Sequence, residues 1–327
     1  MRYLLRRIGF LLFTGWAALS INFIVPHLMP GNPAQVMLAK FQGRLSPQAL
    51  GALTEAFGLN TDKSLFVQYL DYWKRILSGD FGISLTYYPS PVTEVLAQSV
   101  PWTLGLVGCA TIIAFTLGTL LGIFSAWRRN SALADGLVPV ALFFNSIPYF
   151  WLSLLVLYLF AYYLGWFPIA GGYDIFSMAT GLALLPSIVY HAVLPLSTIV
   201  ITALGGWLLT MRNNMISVRS DDYVAFAYAK GLPDWEIKYR YAARNAILPS
   251  ITGFSMSLGF VIGGSLLTEV VFSYPGVGYI LYQAVTSLDY PLMQAVFLFI
   301  SLAVLAANFF TDLIYALLDP RVKDGGD

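Results

Sequence analysis

DDYVAFAYAKGLPDWEIKYRYAARNAILP, residues Asp221 to Pro249, is a polar, charged island between two long apolar runs. Two helices are legible in it. The first opens with Asp221 and Asp222 and closes with Lys230, so charge of each sign lies at the end of the helix dipole that favours it. Gly231 stands where a left-handed C′ residue belongs, and Pro233 prevents continuation. A second helix is predicted from Asp234, as N-cap, to the residues before Pro249. Tyr223, Phe226 and Ala227 share one side of the first helix. That apolar face is too short to form a core of its own, and such a helix docks into a groove on another body. The other reading of the stretch is an amphipathic loop lying on a membrane surface.

The flanks decide between a soluble and a membrane setting. Apolar residues make up 58% of the chain and charged residues 11%, with a mean hydropathy of +0.71. A soluble domain carries about 25% charged residues, so the composition is that of a membrane protein. The net charge of +1 speaks against a nucleic-acid partner. Cys109 is the single cysteine, so no internal disulfide forms and the redox compartment is not legible. A spanning helix needs about 20 mostly apolar residues. Six segments meet this: Ile8–Leu28, Trp102–Trp127, Gly136–Leu164, Leu184–Met211, Ile251–Phe272 and Leu292–Leu318. The first begins with basic residues like a signal peptide, but no small-residue cleavage site follows, and it reads as an uncleaved span. The fold class is thus all-α and membrane-embedded, with six spans. Residues 1–29 form the first span, 30–101 an external loop or cap, and 102–327 the core, with its polar loop at 212–249.

Basic residues set the orientation. With the N-terminus in the cytoplasm, only Lys40, Arg44, Lys63, Lys74 and Arg75 of the 18 Lys and Arg residues fall outside, all in the first external loop. The charge rule is weakest for such long loops. Both termini and Asp221–Pro249 then face the cytoplasm.

Several motifs remain. SLFVQYLDYWKRIL within the external region has helical periodicity, with Leu65, Phe66, Tyr69, Trp73 and Ile76 on one side; SGDFG breaks it. It reads equally as a cap that receives a partner or as an interfacial helix on lipid headgroups. Ala110, Ala114, Gly118, Gly122 and Ala126, and again Ser255, Gly259 and Gly263, form small-residue stripes for close helix packing. FNSIPYFW, Phe144–Trp151, interrupts the third span. Proline there frees a carbonyl, so Asn145, Ser146 and Pro148 either line a translocation path or form a kink satisfied by neighbouring helices. Glu269, in LLTEVVFSYPGVG, is costly near hydrocarbon and is expected to face a polar interior or the external surface; it is a further candidate for the path. His27 and His191 read as interface residues rather than metal ligands, which come clustered, and no metal site is expected. The 8 Trp and 20 Tyr fit aromatic belts at the two membrane surfaces.

AYAKGL followed by RNAILP resembles the cytoplasmic coupling loop of ABC-importer permeases, in the variant of the dipeptide/oligopeptide importers. The glutamate of the general consensus is missing at Ala225, and Gly231-to-Pro249 is longer than the general spacing; both departures are typical of the peptide branch. PGNPA near Pro30, GDFGISL near Phe81, the Ser/Pro/Phe-Trp element, VFSYPGVG, SLDYP and ALLDPRV also resemble pieces of this family, from one end of the chain to the other. The resemblance implies a type I ABC-importer permease fold in the cytoplasmic (inner) membrane, with both termini inside. It implies that Asp221, Asp222, Tyr223, Phe226, Ala227, Ala229, Lys230 and Gly231 engage an ATPase subunit. Implied partners are a second homologous permease, two ATPase subunits, an extracytoplasmic binding protein and the lipid bilayer; no cofactor is expected. Peptide is the first substrate reading, with oligosaccharide or nickel, handled in the same branch, as alternatives. The chain has no G-x-x-x-x-G-K-[ST] loop and no catalytic constellation, so it is not itself the ATPase. An ion-coupled secondary transporter is the reading from another class; the scarce intramembrane charges and the missing inverted repeat count against it.

Overall fold

The computed structural model describes residues 2–29, 64–128, 131–177, 179–261 and 265–318, and these are helical apart from turns and one antiparallel bridge between Ile83 and Pro91. Helix α1 covers Arg2–Leu28, α2 Leu65–Ser78, α3 Val92–Trp127, α4 Ala132–Ser146 and α5 Tyr149–Val156, which continues as a π-helical turn, Leu157–Tyr163. Helix α6 covers Leu185–Arg219 and α7 Asp222–Ala229. Two short pieces, α8 (Asp234–Glu236) and α9 (Arg244–Ala246), flank a π-helical stretch, Ile237–Ala243. Then come α10 (Leu248–Phe260), α11 (Leu266–Val271), α12 (Val277–Thr286) and α13 (Tyr290–Leu318).

Helices α3 and α6, of 36 and 35 residues, form the spine. Their packing is the work of the first small-residue stripe: Ala110, Ala114, Gly118, Gly122 and Ala126 are all buried. A Cβ on Gly118 would lie 2.5 Å from Trp207 Cβ, and one on Gly122 2.7 Å from the Leu208 carbonyl oxygen, so only hydrogen fits at this crossing. In the second stripe Ser255 is half-buried; the burial of Gly259 and all of Gly263 lie outside what is described, as do PGNPA and residues 319–327.

Three helical stretches among the described residues are long and apolar enough to cross a membrane: Val92–Trp127, Gly181–Arg219 and Tyr290–Phe309. A fourth span results if α4 and α5 count as one, although they meet at 95°. The predicted third span is therefore broken at the proline motif. The predicted fifth takes in α10 and α11, with 262–264 between them outside the described residues, and the apolar part of α1, Leu12–Leu28, is shorter than the others. Helix α3 starts ten residues before its predicted boundary, because Val92, Val95 and Ser99 are buried on the side facing α12 and α13 while Glu94 and Gln98 pair with each other at 3.1 Å on the open side. Pro101 is accommodated inside this helix.

Helix α2 is capped at both ends: Ser64 Oγ accepts from Val67 N–H at 3.4 Å, and Gly79, within the SGDFG break, is left-handed at φ +71°. Its packed face is Tyr69, Tyr72, Trp73 and Ile76 against Leu19 and Phe23 of α1 and Leu298 of α13. Leu65 and Phe66, expected on that face, are exposed instead. Positions 69, 72, 73 and 76 keep strict i, i+3, i+4, i+7 register, and Phe66 falls on the flank of that arc. His27 Nδ1–H donates to Phe23 O at 2.7 Å, and its Nε2 lies 3.2 Å from Gln68 Oε1, linking α1 to α2.

Candidate functional site

At one end of the spine, α6 stops at Arg219 and the chain turns through Ser220 into α7. Asp221 is the N-cap by backbone geometry (φ −74°, ψ 146°), without a side-chain cap bond. The stop is the expected one. Gly231 has φ +71°, its N–H donates to Tyr228 O at 2.9 Å, and Leu232 N–H reaches Ala227 O at 3.4 Å. A Cβ at Gly231 would meet nothing within 4 Å, so the need for glycine is conformational alone.

Pro233, not Asp234, caps the next helix. Asp234 is its first residue, and its carboxylate is used across the fold: Oδ2 accepts from Trp127 Nε1–H at 2.7 Å and Oδ1 from the Tyr228 hydroxyl at 3.4 Å. The loop is thereby tied to the end of α3. The π-helical stretch lets one segment serve two neighbours. Ile237 packs under α7, while Ala242, Ala243 and Ala246 pack against Ile123, Met211 and Met215 of the spine.

The two faces of α7 differ from expectation in one respect. Val224 and Ala227 are sealed against Ile237, with Tyr223, Trp127, Val218 and Tyr241 around them. Phe226 is 61% exposed, and Lys230 Nζ lies 4.5 Å over its ring. Each residue advances about 100° around a helix, so the inward arc runs from Tyr223 through Ala227 to Val224 and leaves Phe226 outside it. Ala227 is held within the protein itself. The surface offered outward includes Asp221, Asp222, Phe226, Ala229, Lys230 and Gly231, all exposed.

The candidate path residues lie elsewhere. Helix α4 ends at Ser146, whose hydroxyl bonds Leu142 O at 2.8 Å, and Pro148 caps α5. Asn145, Ser146 and Pro148 are exposed. Asn145 sits against the Gly205–Gly206 pair of α6: a Cβ on Gly205 would lie 3.0 Å from Asn145 Cβ and 2.5 Å from the Ala141 carbonyl.

Glu269 is fully enclosed rather than facing a surface, which sets it apart from the other three. Its Oε1 accepts from Thr103 Oγ1 at 2.8 Å and its Oε2 from Gly278 N–H at 2.7 Å and Tyr279 N–H at 3.3 Å. Thr103 Oγ1 in turn accepts from Val277 N–H at 2.7 Å. Two side chains thus satisfy the first three amides of α12, donors that a helix start leaves without intrahelical partners. The glycines of VFSYPGVG make room: a Cβ on Gly276 would press on Glu269 and Thr103, and one on Gly278 would lie 2.6 Å from Leu266 Cα. A second buried carboxylate, Asp289 in SLDYP, does the same for α13. It accepts from Leu292 N–H at 3.2 Å, Thr86 N–H at 2.8 Å and Ser84 Oγ at 2.5 Å. Sequence reasoning gave Asp289 no role; an Asp three residues before the third amide of a helix was the signal for it. Among the described residues no group of three or more His, Cys, Asp or Glu could hold a metal ion.

Residues 118–324 match the family described as binding-protein-dependent transport system inner membrane component. The chain is 33% identical, over 99% of both proteins, to the di/tripeptide transport system permease protein DppB of Pseudomonas aeruginosa. It is 30% identical, over 93% of both, to the oligopeptide transport system permease protein AppB of Bacillus subtilis. Its fold is similar to that of a chain of the MetNI methionine ABC transporter in an inward-facing conformation, with a TM-score of 0.55 at 17% identity, covering 69% of this chain and 97% of that one.

Proposed function

The chain belongs to the family of binding-protein-dependent transport system inner membrane components, and we propose that it moves dipeptides and oligopeptides inward across the cytoplasmic membrane by alternating access. It is an inner-membrane permease subunit with the ABC-importer permease fold, and it is not the enzyme of the system. Its six spans are α1, α3, the bent α4–α5 pair, α6, α10–α11 and α13, with both termini and α7 in the cytoplasm. The distribution of Lys and Arg supports that orientation. A second permease, two ATPase subunits and an extracytoplasmic binding protein complete the importer. Full-length likeness to peptide permeases supports peptide as the solute.

The observation that carries the coupling role is the division of α7. Its inner face is already sealed by Ile237 and Trp127, so it moves with the spine, while Phe226 and Lys230 are left for another body. Closure of the ATPase dimer on ATP then drives the permease between its two states. Moving such an equilibrium from 1:99 to 99:1 takes about 5.5 kcal/mol of differential binding, a demand that two docked helices share between two permeases. Asn145, Ser146 and Pro148 line the path on this reading; Glu269 holds the external end together.

The test is uptake by the reconstituted importer in vesicles, with labelled dipeptide and the binding protein supplied. Uptake is expected to stop on ATP depletion and to survive an ionophore. Uptake that survives ATP depletion and collapses with the ionophore overturns the reading in favour of an ion-coupled carrier.

A further inference from the structure

Beside α7, between the ends of α3 and α6, lies an open groove of about 700 Å³ lined by Trp127, Arg128, Ser131, Ile216, Arg219 and Ser220. Trp127 and Ile216 make its wall apolar, while two guanidiniums and two hydroxyls make its rim polar. The Arg219 guanidinium lies 5.3 Å over the Trp127 ring and that of Arg128 lies 5.8 Å over Phe124. Stacking of this kind fixes a guanidinium plane and leaves the N–H donors at its edge free. Among the described residues neither arginine forms an ion pair; the pair recorded at this end is Arg240–Glu236. The nearby Asp234 carboxylate is turned to Trp127 Nε1–H and the Tyr228 hydroxyl. Ser131, the N-cap of α4, makes no side-chain cap bond.

Two positive charges, a free hydroxyl and an apolar wall answer a phosphate that carries an apolar tail. We infer that this groove binds the phosphate of an acidic phospholipid of the cytoplasmic leaflet. Arg128 and Arg219 hold the phosphate oxygens, Ser131 donates to them, and Trp127 and Ile216 meet the first carbons of the acyl chains. Helices α3 and α6 are membrane-spanning by length and hydropathy, and the groove lies where α3 ends and about two turns past Met211 on α6, at headgroup rather than hydrocarbon level. Basic sites at that level attract anionic lipid on the cytoplasmic side. A lipid seated there touches the segment linking α6 to α7, so its binding adjusts the position of the coupling helix. The leaflet rests on the orientation proposed above; the chemistry of the groove does not.

Native mass spectrometry of the intact importer, exchanged from phosphatidylglycerol or phosphatidylcholine micelles, reads the site directly. Retention of phosphatidylglycerol over phosphatidylcholine is expected at about tenfold or more, given the contribution of two arginines at a membrane surface. The Arg128→Gln/Arg219→Gln variant is expected to lose the preference, and millimolar inorganic phosphate is expected not to displace the lipid. Equal retention of the two lipids by the wild type, an unchanged preference in the variant, displacement by free phosphate, or release of the lipid when ATPase subunits bind overturns the inference. Labelling of Ala225→Cys in a Cys109→Ser background, from one side of sealed vesicles at a time, reports the orientation separately. Labelling from outside alone sinks the topology without touching the lipid preference.

Discussion

Glu269 and Gly231 show how single residues carry this fold. The Glu269 carboxylate has three donors around it in a fully buried setting, and truncating it orphans them. Each unsatisfied buried donor costs about 1–3 kcal/mol. Glu269→Ala is therefore expected to lower the melting temperature of the detergent-purified permease clearly, and Glu269→Gln by less, since its amide oxygen still accepts from Gly278. Equal melting of all three proteins would show that the network contributes nothing. Gly231 is a different case, since nothing crowds it and its constraint is φ +71° alone. Replacement by Ala costs about 1 kcal/mol of backbone strain, and a β-branched residue more. Gly231→Val is expected to leave the protein inserted and to uncouple ATP hydrolysis from uptake; normal ATP-driven uptake by this variant contradicts that. Gly231 was legible because a helix stop is a local signal. The partners of Glu269 and Asp289 were not, because Thr103 and Ser84 stand 166 and 205 residues away.

Helices were legible wherever one face or one composition persisted. The small-residue stripe of α3 pointed to a close crossing before its partner, α6, was known. The same stripe yields a prediction. Gly118→Leu forces the two helices apart and is expected to cost about 1–3 kcal/mol or more. Gly105→Ala, where a Cβ meets nothing within 4 Å, is expected to be neutral. Comparable losses in purified yield and melting temperature for both would remove the crossing from the account. The break in the third span was harder to read, since apolar composition runs through a bend as readily as through a straight helix. Likewise the face of α7 was misjudged at Phe226, because eight residues fix an arc only to within one residue and Ile237, the partner that selects it, comes after the turn. The tie between Trp127 and Asp234 belongs to this scale as well. Trp127→Phe removes one hydrogen bond, worth about 1 kcal/mol in a half-open setting. It is expected to reduce the uptake obtained per ATP hydrolysed while leaving insertion intact. Unchanged uptake per ATP shows that the loop is held by its apolar contacts alone.

At the scale of the whole molecule, the surface divides into regions with different tasks. Apolar residues of α1 such as Phe10, Phe13 and Ile21 are exposed, as its proposed place among the spans requires. The end of the bundle opposite α7 is closed by two buried carboxylates, each fixing the start of a helix. At the other end a short helix stands on a sealed base with its aromatic residue outward. On the proposed coupling role this makes α7 a lever: rigid at its root, joined to the spine through Trp127, Ile237 and the π-helical stretch, and open to a partner at its tip. Composition pointed to the membrane and the loop pointed to coupling, but no residue of the chain named the solute.

The most direct measurement is disulfide cross-linking in the assembled importer between Phe226→Cys, in a Cys109→Ser background, and cysteines placed along the groove of the ATPase subunit. The account predicts a cross-linked permease–ATPase product formed from the cytoplasmic side, with a yield that changes when ATP closes the ATPase dimer. No such product at any groove position, or reactivity of that cysteine only from the opposite face of the membrane, contradicts it.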